Sequence, residues 1–208
     1  MYLKNYYYYF KKAFNDDFCK SIISLGNKKI QEIGTAGKFN NKNKKNLSKK
    51  EIQELKKLRN SNISWINDQW IYDVIDPYLN EANKMSGWNF NVDYTEDLQF
   101  TSYGKNQHYD WHVDQQLDVF NCPNNPGLNG KIRKISFSIN LSDQNMFDGG
   151  EFLFEFPDIP LAIRRECMEI KEKGSIIFFP SFVKHKVNPV TKGLRNSLVG
   201  WAVGYPFK

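Results

Sequence analysis

From Trp88 onward the chain is a succession of short runs rich in aromatic and β-branched residues: Trp88–Val92, Asp97–Tyr103, Ile132–Leu141, Glu151–Phe156, Met168–Ile170, Ser175–Phe179 and Ser197–Tyr205. Between them stand turn signals such as Asn124-Asn125-Pro126-Gly127 and Asp148-Gly149-Gly150. Short strands at this spacing can bury their apolar faces only against one another, which predicts a sandwich or barrel. The 15% aromatic content suits such a β-rich interior.

The first 87 residues have a different texture. Asn15 can cap a helix running to about Ile33, with Asp16 and Asp17 at the positive end of its dipole and Phe18, Ile22 and Leu25 on one face. Gly34 suits the end of that helix, and Gly37 marks a break after it. Ser48-Lys49-Lys50-Glu51 is a capping box leading into Ile52, Leu55 and Leu58. A third helix is predicted over Asp68–Met85 from the spacing of Trp70, Ile71, Val74, Ile75, Tyr78 and Leu79, with Pro77 expected to kink or restart it. No repeat or linker divides the chain, so its 208 residues read as one domain: mainly helical support over 1–87 and a β-barrel core over 88–208.

Charge and cysteine content narrow the setting. Much of the net charge of +6 lies in one segment, Gly37 to Lys50, so the run reads as a solvated loop; contact of its lysines with a partner or nucleic acid stays open. Cys19, Cys122 and Cys167 are odd in number and lack CxxC or Cys/His spacing, which argues against a disulfide framework or structural zinc and fits a reducing cytoplasm. The N-terminal stretch has no signal-type apolar run, and no segment approaches the roughly 20 apolar residues that span a bilayer. The expectation is a cytoplasmic protein with no membrane partner.

Chemistry enters at Gln107-His108-Tyr109-Asp110-Trp111-His112-Val113-Asp114. On a strand, positions i and i+2 share a face, so His112 and Asp114 would offer an imidazole and a carboxylate on one side of a sheet. Such a pair is common by chance, and the bland alternative is a barrel-edge histidine beside a turn aspartate. His185, just past the apolar run Gly174–Pro180, supplies a second imidazole from a distant strand. Two histidines and one carboxylate form the facial triad of non-haem Fe(II) oxygenases, which leaves coordination positions open. Of the remaining histidine, His108, a structural or substrate-facing place is expected rather than a ligand's.

Ten residues after His185 comes Arg195, with Ser197 two further on, so both can point one way from the following strand. An arginine grips a carboxylate through a planar fork of donors, and a serine adds a hydroxyl. A metal beside a carboxylate clamp suits 2-oxoglutarate, one end of which chelates the metal while the other needs a cation. Tyr109, Trp111 and Trp201 read as packing aromatics near this pocket, and Asn121–Gly130 as a strand connection or a lid.

Three ordered pieces, FTSYGKNQHYDWHVD, SINLSDQNMFDGGEFLFEF and GSIIFFPSFVKHKVNPVTKGLRNSLVGW, resemble the Fe(II)- and 2-oxoglutarate-dependent dioxygenases of the prolyl 4-hydroxylase type over roughly Leu98 to Tyr205. The resemblance implies an α+β, mainly β fold: a double-stranded β-helix, or jelly roll, with N-terminal helices buttressing its major sheet. It implies His112, Asp114 and His185 as Fe(II) ligands and Arg195, Tyr103, Ser197 and Asn140 as contacts for 2-oxoglutarate. O2 is then the oxidant and ascorbate a compatible reductant. It further implies hydroxylation of a peptidyl proline in a peptide or protein, although many such enzymes carry lysine where this chain has Arg195. The same chemistry on a small molecule, free amino acid or nucleobase is the alternative; a metal-binding jelly roll without turnover is the reading from another class, and the Arg195 clamp weighs against it.

Overall fold

The computed structural model describes residues 3–39, 46–156 and 163–207, so positions 40–45 of the lysine-rich run lie outside the described residues. Among the described residues all strand pairings are antiparallel. The major sheet runs in the order β1 (Tyr8–Phe10), β12 (Ile176–Pro180), β8 (Ile132–Asn140), β15 (Arg195–Gly204), β6 (Leu98–Tyr103), β4 (Asn62–Ile66), β2 (Glu32–Ile33), and β5 (Tyr94–Thr95) also pairs with β15. The minor sheet runs β11 (Ile163–Glu166), β10 (Phe152–Phe156), β13 (Lys184–Val187), β7 (His108–His112), β3 (Arg59–Asn60), and a ribbon of β9 (Phe147–Gly149) and β14 (Val190–Gly193) stands apart. This is the jelly roll, with a cavity between its sheets.

Strand alternation decides what each face carries. On β6, Leu98 and Phe100 join the core against the helices, whereas Gln99, Thr101 and Tyr103 line the cavity. On β15, Leu198 and Ala202 join that core, and Arg195, Ser197, Val199 and Trp201 line the cavity. The helices α1 (Asp16–Lys28) and α3 (Gln69–Met85) cover the outer face through Cys19, Ile22, Ile71, Ile75 and Leu79. Gly26 permits the close approach of α1, because a Cβ there would lie 2.3 Å from the Phe100 ring. At the other end of the sandwich, Phe152, Phe154, Ile177 and Phe179 fill the space between the sheets.

The capping signals are in place. Asn15 Oδ1 accepts from the Phe18 N–H at 2.9 Å, and α2 (Lys49–Leu58) begins with the reciprocal Ser48–Glu51 box. Other expectations fail for tertiary reasons. The first helix ends at Lys28, not Ile33, because Glu32–Ile33 pair with Asn62–Ile63 as a sheet edge. Pro77 does not restart α3, which is helical from Gln69 to Met85. Trp88–Val92 is irregular and not a strand, its indole donating to the Asn5 carbonyl at 2.7 Å. Met168–Ile170 is a 3-10 turn, not a strand. The first 87 residues are more than helical support: β1 to β4 complete both sheets. Among the described residues no helix is long and apolar enough to cross a membrane.

Candidate metal centre

Two neighbouring strands of the minor sheet bring the two imidazoles together. His112 is directly paired with His185 across β7 and β13, and their rings lie 4.1 Å apart. Asp114 comes from beyond the end of β7, its N–H held by the Ser181 carbonyl at 2.9 Å. Asp114 thus shares a side with His112 although the strand stops at His112. Asp114 Oδ1 lies 3.7 Å from His112 Nε2, and Oδ2 lies 3.6 Å from His185 Nε2. All three ligand atoms fall within 4.8 Å of one another.

Backbone carbonyls set the ring orientations. His112 Nδ1 faces the Asp110 carbonyl at 2.8 Å and His185 Nδ1 the Val183 carbonyl at 3.0 Å. A protonated Nδ1 donates to each, which leaves both Nε2 lone pairs free toward Asp114. Burial, reinforced by the neighbouring His185, holds His112 well below the usual imidazole range and so favours the neutral, ligating form. Burial opposes ionisation of Asp114, but the positive charge around it, the Arg133 guanidinium included, and a Ser136 hydrogen bond lower its pKa below the usual carboxylate range. Its Oδ2 is buried without a hydrogen-bond partner. A buried carboxylate oxygen beside two imidazole Nε2 atoms is a donor set that fits a divalent ion.

The triad opens into a cavity of about 240 Å³ between the sheets, lined among others by Tyr103, Arg195 and Ser197. Arg195 is 3% exposed, its Nη1 is buried with no hydrogen-bond partner, and its guanidinium lies 5.7 Å from the Tyr103 ring centre. Burial lowers the Arg195 pKa, a cost that a carboxylate partner would offset. Burial also raises the Tyr103 pKa, keeping its phenol a hydrogen-bond donor. Gly150 gives Arg195 its room: a Cβ there would lie 2.9 Å from Arg195 Cδ.

Asn140 is placed differently. Its amide donates to the Lys171 carbonyl at 2.9 Å and its Oδ1 accepts from the Ser142 N–H at 3.2 Å, so each polar end has a backbone partner, and it does not line the triad's cavity. His108 also lies apart, its Nε2 facing the Lys57 carbonyl. Tyr109 and Trp201 line the cavity; Trp111 does not, and Lys184, Lys186 and Arg164 approach its ring instead. The loop Asn121–Gly130 packs by Gly127 on Tyr94, away from the cavity. Sequence reasoning missed Arg59, Trp65, Gln99 and Arg133, which all line it.

Comparison with known proteins agrees with this geometry. The family model described as the 2OG-Fe(II) oxygenase superfamily matches residues 98–203, just over half of the chain. A PKHD-type hydroxylase of Prochlorococcus marinus is 33% identical over 113 residues, which are 52% of this chain and 41% of that relative. The chain thus spans about two fifths of the length of that curated relative. The viral collagen prolyl hydroxylase of Paramecium bursaria Chlorella virus-1, solved as its 2OG complex, superposes with a TM-score of 0.61 at 20% identity, covering 96% of this chain and 97% of that one. A prolyl hydroxylase of Trichoplax adhaerens, solved with a hypoxia-inducible-factor peptide fragment, gives 0.65 at 14% identity over 95% and 83%.

Proposed function

The chain belongs to the 2OG-Fe(II) oxygenase superfamily, and from that premise we propose that it is a hydroxylase of prolyl residues whose iron is held by His112, Asp114 and His185. The observation that carries the reading is a pair of buried polar atoms without a hydrogen-bond partner on residues lining one cavity: Asp114 Oδ2 among the imidazoles and Arg195 Nη1. Iron(II) with 2-oxoglutarate supplies, when bound, the oxidative decarboxylation to succinate and CO2 that delivers an oxygen atom of O2 to a C–H bond.

The chain's own groups do the positioning. Asp110 and Val183 carbonyls fix the imidazole tautomers, and the low pKa of Asp114 keeps one anionic ligand available. Arg195 would take the distal carboxylate of 2-oxoglutarate, with the Tyr103 phenol and Ser197 hydroxyl as further donors. Phe152, Phe179 and Val187 wall the His185 side and keep water from the centre. Asn140, which does not line this cavity, is left out of the proposed set. Residues 1–208 act as one oxygenase domain, because strands from the first 87 residues complete both sheets. A peptide substrate is supported by the peptide held by the Trichoplax relative, and three unpaired cysteines fit a cytoplasmic setting.

Succinate formation from 2-oxoglutarate by purified protein with Fe(II), ascorbate and O2 tests this reading, with proline-containing peptides followed by mass. Turnover in the wild type that is lost in Asp114→Ala and Arg195→Ala supports it. An iron-loaded wild type that makes no succinate with any proline-containing substrate contradicts it.

A further inference from the structure

The cavity holds three arginines, and only two are accounted for. Arg195 is assigned to 2-oxoglutarate, and Arg133 is paired with Glu96 by two bonds of 2.6 and 2.7 Å. Arg59, which joins α2 to β3 and lies outside the family match, is 6% exposed. Its Nε donates to Ser61 Oγ at 2.9 Å, Nη1 to the Thr35 carbonyl at 3.2 Å and Nη2 to Gln99 Oε1 at 2.5 Å. All three acceptors are neutral, and among the described residues no carboxylate pairs with it. A guanidinium has five N–H donors, so two remain.

The position of this charge matters. The Arg59 guanidinium sits 4.5 Å from the centre of the Tyr109 ring, which stacks 3.4 Å from His112. One aromatic ring thus separates it from an iron ligand. The cavity carries a second unmet donor: Trp201 is 5% exposed and its Nε1 is buried with no partner. Arg133 stacks on Trp201 at 3.9 Å, which fixes the indole. With Fe(II) and Arg195 balancing Asp114 and a 2-oxoglutarate dianion, and Glu96 balancing Arg133, the site keeps one positive charge. A buried cation left with neutral partners is costly unless a ligand brings the counter-charge.

Resting on the hydroxylase reading, we propose that the substrate presents an α-carboxylate beside the carbon that is hydroxylated, bound by Arg59, with the Trp201 indole N–H donating to a second acceptor on the same residue. A free imino acid and a C-terminal prolyl residue both carry this group. A proline inside a peptide has a neutral amide there and leaves Arg59 unpaired.

The test is calorimetric titration of anaerobic protein saturated with Fe(II) and 2-oxoglutarate, using L-proline, a short peptide ending in proline as the free acid, and the same peptide as its amide. The free acids bind the wild type at least tenfold tighter than the amide, a factor in line with a desolvated charge-assisted pair. Arg59→Gln reduces that preference to below about threefold, Arg59→Lys retains part of it, and 2-oxoglutarate affinity is unchanged in both. The tighter of L-proline and the acid peptide identifies the source of the carboxylate. Equal binding of acid and amide by the wild type overturns the proposal, and this comparison needs no variant should Arg59→Gln misfold. A full acid preference in folded Arg59→Gln overturns it as well. Failure of the hydroxylase reading shows separately, as absent binding of 2-oxoglutarate; the acid–amide comparison repeated without 2-oxoglutarate still reports on Arg59.

Discussion

Replacing Glu96 by leucine strips a buried arginine of its counter-ion in the wall of the cavity. Arg133 and Glu96 are 17% and 11% exposed at the side chain and share two short hydrogen bonds, so solvent can do little to replace the lost partner. Breaking such a pair from one side costs about 3–5 kcal/mol, most of it the desolvated charge left behind. At roughly 2–4 °C per kcal/mol for a chain of this size, Tm should fall by roughly 6–20 °C. Arg133→Met, which strands Glu96, should cost a similar amount. The double variant, with an apolar pair of similar volume stacked beneath Trp201, should cost less than about 2 kcal/mol. Urea unfolding of all four proteins at pH 7, with m-values compared, completes the cycle. Single-variant losses below about 1 kcal/mol, or a double variant as destabilised as both singles together, would refute the claim that this is a desolvated pair.

Other expectations follow from the same structure. Asp114→Ala should lose iron affinity by more than the roughly 10–100-fold that removal of a mere supporting hydrogen bond costs, read by competition with a metallochromic chelator; retention of wild-type affinity would place the metal elsewhere. Phe154→Ala should cost about 3–5 kcal/mol in chemical unfolding, since Phe154 is fully buried and packs on Phe152, Phe156 and Phe179 beneath His185. Burial and the adjacent Glu169 push the Cys167 thiol up to about 12, and burial takes Cys19 to about 11. Native protein treated with iodoacetamide at pH 7.5 should therefore label the half-buried Cys122 and spare both others by mass spectrometry, and rapid labelling of Cys167 would show that the junction between β11 and the following 3-10 turn opens readily.

What the sequence disclosed and what it withheld divide along the range of the interactions. His112 and Asp114 were legible because their relation is local, and Arg195 and Ser197 because both lie on one strand. His185 needed a partner strand, and the ordered motifs of the resemblance supplied it. Arg59 and Trp65 were not legible. Their segment, Arg59–Ile66, lies between two strongly helical patterns, and its two-residue β3 exists only because Arg59 and Asn60 pair with Tyr109 and His108. The tyrosine-rich N-terminus likewise becomes β1 only by pairing with Phe178, Ile177 and Ile176. The surroundings of Asn140 were equally hidden, because the backbone carbonyl of Lys171 and the N–H of Ser142 that bond its amide come from distant or irregular segments.

The most direct test of the central claim is anaerobic titration of the iron-loaded protein with 2-oxoglutarate, comparing wild type with Arg195→Ala. If His112, Asp114 and His185 hold the iron while Arg195 grips the distal carboxylate, one equivalent of iron binds both proteins, and the variant binds 2-oxoglutarate at least tenfold more weakly. Equal 2-oxoglutarate affinity in the two proteins would contradict the account, because the buried guanidinium would then serve the fold and not the cosubstrate.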